Sequence, residues 1–362
     1  MVITRILLLV LLQAPAEGWR EEEVGEGVVW RFRHYDELYG AKQSVGVLEC
    51  DPATAKLAFV EAEQGMEKTS AIAGRTKAVA AVNGGYFTKE GRPLGILKIG
   101  GKTRSAATAG RGAVGIDGKG GFHFRRLEGG SEWPEVEEAL GGVPLLVAAG
   151  RVAEFEKAAH LEARHPRTAI GVTAKQRVLL VVVDGRTAEA AGMSCAELAA
   201  FLIELGCTEA LNLDGGGSST LWVRGKPEAG VASFPSDNRK YDHAGERAVA
   251  NAVVVLAKDV IVAGAEEAVL TGEWTHAGGV YTGNGTARWA TAIEWAGDYE
   301  IFARGPAAAR YRITVGERVK EVEPGDGDGW VSLGRYALPA GQGHEVLLTG
   351  RRAGALRWVQ RN

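Results

Sequence analysis

The sequence predicts an α+β fold: a mixed-sheet domain followed by a small all-β sandwich. Three observations point there. Several apolar runs rich in valine and alanine end abruptly in Asp, Asn and glycine, as buried strands do. One strongly capped helical pattern lies between two of those runs. Beyond about residue 260 the pattern changes to short strands and turns, with no long helix.

Composition sets the bounds. A chain of 362 residues is long enough for two domains. Hydrophobic content of 46% and charge of 24% are ordinary for a soluble globular protein. The net charge of −3 leaves no electrostatic footprint for nucleic acid. The 51 glycines fit a turn-rich β fold.

The elements follow in chain order. Arg5 reads as a charged n-region, Ile6 to Leu12 as an apolar h-region and Ala14-Pro15-Ala16 as a cleavage site. The apolar run is too short to span a bilayer. Residues 1–16 are therefore expected to be a signal peptide. Its removal would leave a secreted or periplasmic protein with no transmembrane segment, whose acidic 17–26 stretch is the mature N-terminus. A buried N-terminal strand is the alternative.

The first domain is expected over 27–260. A short helix over 69–76 precedes a strand, 78–82, that runs into Asn83-Gly84-Gly85-Tyr86-Phe87. The loop Arg164-His165-Pro166-Arg167 leads into a strand over 168–172. The run 178–183 is a buried strand ending in Asp184-Gly185-Arg186. Ser194 and Glu197 form a capping box for a helix over 195–205. Leu198, Phe201, Leu202 and Leu205 make its apolar face, and Gly206 stops it. A strand over 209–213 follows, so 178–213 reads as a strand–helix–strand crossover. Residues 249–256 read as a closing core strand. Cys195 and Cys207 would lie about 18 Å apart along the helix, beyond disulfide reach. With Cys50 they read as buried thiols, and no spacing suggests zinc. The sandwich is expected over 266–362, with strands at 287–295, 297–303, 311–315, 330–338, 346–348 and 356–359.

The segment Asn212 to Thr220 carries the chemistry. A strand delivers Asp214 into Gly215-Gly216-Gly217, then Ser218-Ser219-Thr220. Three glycines cost much backbone entropy. A chain tolerates them where it turns sharply or where its N–H groups approach a ligand closely. The pattern suits an anionic or highly oxygenated ligand; a glycine-rich hairpin turn with a solvated Asp is the alternative. Asp184 and Asn83 also end strands before glycine, so all three are expected to share one sheet edge, where loops on a rigid scaffold carry function. The P-loop lysine is absent, and no Gly-x-Ser-x-Gly elbow surrounds Ser218. His160 and His165 have the wrong spacing for a zinc-protease helix.

Asn83 to Phe87, Gly142-Val143-Pro144-Leu145-Leu146, Arg167-Thr168-Ala169-Ile170-Gly171, Val183 to Arg186, Asn212 to Ser219 and Phe234-Pro235-Ser236-Asp237 occur in an ordered set. In that order the chain resembles the phosphodiester glycosidase family over about residues 40–257. More loosely, Gly272-Glu273-Trp274, the 297–304 run and Leu338-Pro339-Ala340-Gly341 resemble the golvesin-like C-terminal domain of bacterial secreted enzymes, a module linked to sugar binding or attachment.

The first resemblance implies a hydrolase of sugar-1-phosphodiesters, GlcNAc-1-phosphodiester-like, acting on envelope or extracellular glycans. Such a bond joins an anomeric carbon to a phosphodiester oxygen. The leaving group is already a weak base, so the site needs a cation for phosphate, a carboxylate for the anomeric centre and polar groups for the sugar. Arg167 is then expected to bind phosphate with its planar fork, with Arg247 as a second candidate. The N–H groups of Gly215, Gly216 and Gly217 would cradle oxygens. Asp214 would serve the anomeric centre with Asp184 as partner base or orienter, or with the roles exchanged. Asn83 would hold a sugar hydroxyl or carbonyl, helped by Ser218 and Ser219. His165 could be an acid, though a capping or exposed histidine is the simpler reading. No cofactor is expected. Two other readings stay open: a phosphodiesterase whose Asp184, Asp214 and Asp237 hold a divalent cation, and a non-enzymatic glycan-binding protein.

Overall fold

The structure, a computed structural model, describes residues 18–361 apart from 227, 278, 294–295, 305–308 and 325–328. The expected signal peptide lies outside the described residues.

Strands dominate. The largest sheet has eight, in the order Arg20–Gly25, Val28–Leu38, Ala41–Cys50, Val178–Val183, Arg167–Thr173, Cys207–Asn212, Leu145–Ala148 and Arg151–Val152. Val178–Val183 is buried at every residue because its two faces serve two cores. Leu180 and Val182 join one core, while Leu179, Val181 and Val183 join the other. The first core is shared with a four-stranded sheet (Leu221–Val223, Ala80–Asn83, Asn251–Leu256, Lys56–Glu61) and with part of a five-stranded one (Phe122–Arg126, Gly112–Ile116, Glu138–Gly142, Leu97–Ile99, Lys102–Ser105). The second core packs under the helix Cys195–Glu204, whose Leu198, Phe201 and Leu202 are buried. The capping box of Ser194 and Glu197 is present.

The mixed sheet is corrected: every described strand pairing in these sheets is antiparallel. Val178–Val183 and Cys207–Asn212 do run the same way, but Arg167–Thr173 lies between them, antiparallel to both. The helix therefore spans two strand positions. Arg20–Gly25 pairs with Val28–Leu38, so the largest sheet begins ahead of residue 27 and the acidic 17–26 stretch contributes a strand. The five-stranded sheet falls where the sequence offered no strand signal. Its members are short, and Lys102–Ser105 has no apolar residue.

Beyond residue 260, a four-stranded sheet (Val260–Ala263, Leu356–Arg361, Gly297–Arg304, Trp330–Leu338) and a five-stranded sheet (Val269–Ala277, Val280–Ile293, Gly341–Ala353, Arg310–Val315, Arg318–Val322) enclose one core. Trp289, Tyr299, Tyr311 and Trp358 fill it, and it shares no residue with the other cores. Val269–Ala277 and Arg318–Val322 were not legible as strands because almost none of their residues is buried.

A candidate active site on the glycine turn

Two backbone bonds set the turn at the end of Cys207–Asn212. Leu213 N–H donates to Thr168 O at 2.8 Å, and Asp214 N–H to Gly84 O at 3.1 Å. Leu211 and Leu213 anchor it in the core. Gly216–Ser218 is a single tight turn. Each glycine has its own reason. A side chain at Gly215 would come within 2.8 Å of Pro166 O. Gly216 has a φ of +61°, which disfavours other residues, and a Cβ there would meet Arg186 Nη2 at 2.8 Å. A Cβ on Gly217 would overlap the Asp237 carboxylate and the Arg247 guanidinium. The glycines thus let arginines close in on the backbone.

Asp214 is half-buried and accepts a hydrogen bond from Gly215 N–H at 2.9 Å. Burial raises its pKa above the usual carboxylate value, opposed by the Ser218 hydroxyl, the Gly215 N–H and the charges of Arg247 and Arg111. A carboxylate partly withdrawn from water and faced by cations is suited to meet positive charge that develops during a reaction.

Asp184 ends the Val178–Val183 strand at the same sheet edge, across Arg167–Thr173 from Asp214; two strand spacings separate the backbones by roughly 10 Å. Its surroundings differ. Asp184 is 2% exposed. Phe234 N–H donates to one carboxylate oxygen and Ser44 Oγ–H to the other, each at 2.8 Å, and Tyr241 O–H donates to Ser44 Oγ. Burial pushes its pKa up to about 7, opposed by those two bonds. With both oxygens occupied and no open face, Asp184 is placed to orient the Phe234 loop, and the partner-base role does not fit its geometry.

Three further expectations meet a different arrangement. Asn83 is fully buried: its Oδ1 accepts from Thr168 Oγ1 at 2.7 Å and Thr220 N at 3.1 Å, while Nδ2 donates to Asp214 O at 2.8 Å. It clamps the turn to two strands and has no free group for a sugar. Arg167, 4% exposed, points away from solvent: Nε donates to Met193 O, and Nη2 to His160 O and Ala163 O, each at 2.8 Å. Nε and Nη2 are committed to backbone carbonyls, which leaves Nη1 alone and no two-nitrogen fork for phosphate. Arg247 is near the turn but doubly bonded to Asp237, at 2.8 and 2.5 Å. Ser218 and Ser219 are buried in the turn, and Ser219 Oγ has no hydrogen-bond partner among the described residues.

The sequence reading missed Arg111, Arg186 and Tyr86. Arg186 is exposed at a φ of +66° beside Gly216, with Nη2 3.5 Å from His165 Nδ1. Burial and the charges of Arg167, Arg186 and His160 hold the His165 pKa down. That favours the neutral ring and disfavours the acid role. Tyr86 O–H donates to Val143 O at 3.3 Å and accepts from Asn212 Nδ2 at 2.9 Å. Arg111 sits over the Tyr86 ring, 5.3 Å from its centroid. Arg111 also lines a cleft of about 680 Å³ with Pro144, Leu145, Phe155 and His160. Tyr86 had a signal, since it follows the Asn-Gly-Gly strand end; Arg111 lies in the segment without one.

The carboxylates of the divalent-cation reading do not converge. Asp184 is enclosed, Asp237 is bound to Arg247, and no three His, Cys, Asp or Glu side chains group as ligands among the described residues. No described helix is long and apolar enough to cross a membrane.

Comparison with known proteins adds a family. The model of the family described as phosphodiester glycosidase matches residues 76–256, half of the chain. The N-acetylglucosamine-1-phosphodiester alpha-N-acetylglucosaminidase of Bos taurus is 33% identical over 193 residues, which cover 48% of this chain and 35% of that protein. The Homo sapiens protein of the same name is 43% identical over 72 residues, 20% of this chain and 13% of that one. The chain thus spans about a third or less of these relatives. Among solved structures, the zebrafish catalytic domain of that name, described as auto-inhibited by its pro-peptide, superposes with a TM-score of 0.52 at 21% identity, covering 67% of this chain and 85% of that one. A hypothetical protein from Synechocystis gives 0.56 at 19% identity, covering 68% and 65%. At such identities the likeness is one of fold.

Proposed function

This chain belongs to the phosphodiester glycosidase family, and from that premise we propose that it hydrolyses the glycosidic bond of a sugar-1-phosphodiester, GlcNAc-1-phosphodiester-like, in envelope or extracellular glycans. One observation carries the reading: a half-buried carboxylate, Asp214, with no cation among the described residues bonded to it, opens a glycine turn crowded by arginines. That pairing matches the two charges of the reaction. Positive charge grows at the anomeric carbon, and the departing phosphate keeps its negative charge.

In this reading Asp214 faces the anomeric carbon, as nucleophile or as base for water. Arginine charge faces the phosphate, and the Gly217 N–H with the Ser219 hydroxyl holds ligand oxygens, whereas the N–H groups of Gly215 and Gly216 are already given to Asp214 and Pro166 O and cannot join the expected cradle. Phosphate departs as a weak base, so the site works without a general acid, in keeping with a neutral His165. Asp184, Asn83 and Arg167 are positioning residues. The protein works after export, with residues 20–260 as the catalytic domain, the expected 27–260 extended by the Arg20–Gly25 strand, and 266–362 as a golvesin-like accessory domain dispensable for turnover.

The test is a panel of sugar-1-phosphodiesters with purified full-length protein and identification of the released sugar, run with and without a chelator. Release of free sugar with its phosphomonoester partner, abolished in Asp214→Asn, supports the reading. Cleavage on the other side of phosphorus, giving sugar-1-phosphate, would mean a phosphodiesterase instead. Binding of glycans with no turnover would leave the non-enzymatic reading.

A further inference from the structure

Among the arginines near the glycine turn, Arg167 and Arg247 already have partners. Arg167 serves three backbone carbonyls, and Arg247 is paired with Asp237. Arg186 is exposed, with Nη2 3.5 Å from His165 Nδ1. Arg111 is different. It is half-buried, its Nη1 is enclosed without a hydrogen-bond partner, and no carboxylate pairs with it among the described residues. Its close neighbour is an uncharged ring, Tyr86, whose hydroxyl is occupied by Val143 and Asn212. A guanidinium N–H withdrawn from water and left without an acceptor is unfavourable. A site kept that way is one that a ligand completes.

Its position says which ligand atoms it meets. Arg111 acts on Asp214 by its charge and forms part of the wall of the 680 Å³ cleft. It thus belongs both to the surroundings of Asp214 and to the wall of a cleft that includes Val143, the acceptor of Tyr86 O–H and of Asn212 Nδ2, two residues before Asp214. In a sugar-1-phosphodiester, the group between the anomeric carbon and the remainder is the phosphate. We propose that Arg111 is the residue that binds this phosphate, the role the sequence assigns to Arg167. This deepens the reading of the site as a phosphodiester glycosidase and rests on it. A planar fork with free donors matches phosphate oxygens, and its charge would stabilise the departing phosphomonoester.

The experiment uses the full chain and inorganic phosphate as the probe, with binding followed by calorimetry and turnover followed separately. Wild type is expected to bind phosphate. Arg111→Gln should weaken it at least ~10-fold, as expected for lost charge-assisted hydrogen bonds, while Arg288→Gln, at an exposed arginine paired with Glu345 on the C-terminal sheets, should change it less than ~3-fold. Should Arg111→Gln melt early, Arg111→Lys keeps the charge over Tyr86 but loses the fork, and it too should bind phosphate more weakly. Phosphate binding unchanged in both Arg111 variants, or absent from wild type, would overturn the proposal even if sugar-1-phosphodiesters are turned over. Phosphate binding that depends on Arg111 in a protein that releases no sugar would uphold the phosphate site and remove the glycosidase reading instead.

Discussion

Val183-Asp184-Gly185 and Leu213-Asp214-Gly215 have the same local form: an apolar strand, an aspartate, a glycine. Both end at one edge of one sheet, with a single strand between them. Their fates diverge because of what packs on top. The Phe234 segment closes over Asp184, with Phe234 stacked on Tyr241 at 3.9 Å and on His243 at 4.4 Å. Its N–H and the Ser44 hydroxyl then fill both carboxylate oxygens. Over Asp214 the chain makes a glycine turn, and arginines from distant segments surround it. A strand-end aspartate becomes a structural bolt or a candidate reagent according to whether buried donors fill both its oxygens or arginine charge faces one left open.

The strongest test of that contrast is to neutralise each carboxylate. Asp214→Asn should lower turnover of a sugar-1-phosphodiester at least ~100-fold, the lower range for positioned acid–base groups, and should melt within a few degrees of wild type. Asp184→Asn should lower turnover less than ~10-fold, because an amide can still accept from Phe234 N–H and donate to Ser44. Equal losses would break the contrast.

The arginines offer the next test. Arg167→Met strands three buried carbonyls and should destabilise the fold by about 2–4 kcal/mol, read by chemical denaturation. Arg247→Gln removes a partly exposed ion pair and should cost less than about 1 kcal/mol. A stable Arg167→Met that has lost phosphate affinity would return Arg167 to the ligand.

Gly217→Ala should then separate turn geometry from charge. The added methyl must push aside Asp237 and Arg247, so turnover should fall roughly 10-fold, about the effect of a small misplacement near the chemistry. Normal turnover would mean that the Asp237–Arg247 pair does not need its present position.

The smallest effect concerns pH and stability. Asp184 has a folded pKa of about 7, raised from 3.8. The folded state therefore binds its proton more tightly than the unfolded chain does. Stability from this group is full below the unfolded value and is lost as pH rises through about 7. Melting temperatures of wild type minus Asp184→Asn, measured from pH 4 to pH 8, should fall by a few degrees as pH rises. A flat difference would mean that Asp184 is charged throughout.

Much of the scaffold was legible. The buried runs at 78–82 and 178–183, the Ser194–Glu197 capping box and the Asp214 turn are local patterns, and local patterns decide strand and helix positions. Three features depend on how the chain folds back on itself and not on local pattern. Arg167 looks like a surface arginine until Met193, His160 and Ala163 present their carbonyls. Asn83 looks free until Thr168 and Thr220 reach it. Arg111 immediately precedes a five-residue strand, Gly112–Ile116, too short to show a periodicity. Antiparallel order was hidden for a similar reason: the strand that separates 178–183 from 207–212 precedes both in the chain.

Asn83 precedes Gly84, the dipeptide most prone to lose its side-chain amide by attack of the next backbone nitrogen. In the folded protein that nitrogen donates to Asn251 O at 2.9 Å, and the amide oxygen is held by Thr168 and Thr220. The fold thus shields its own clamp from chemical ageing. Heat that unfolds the chain removes the shield, and a converted residue would bring a negative charge into a fully buried position whose Nδ2 had been a donor. Loss of function on prolonged heating should therefore become permanent in proportion to time spent unfolded, and a mass gain of about one dalton on the peptide containing Asn83 would record it.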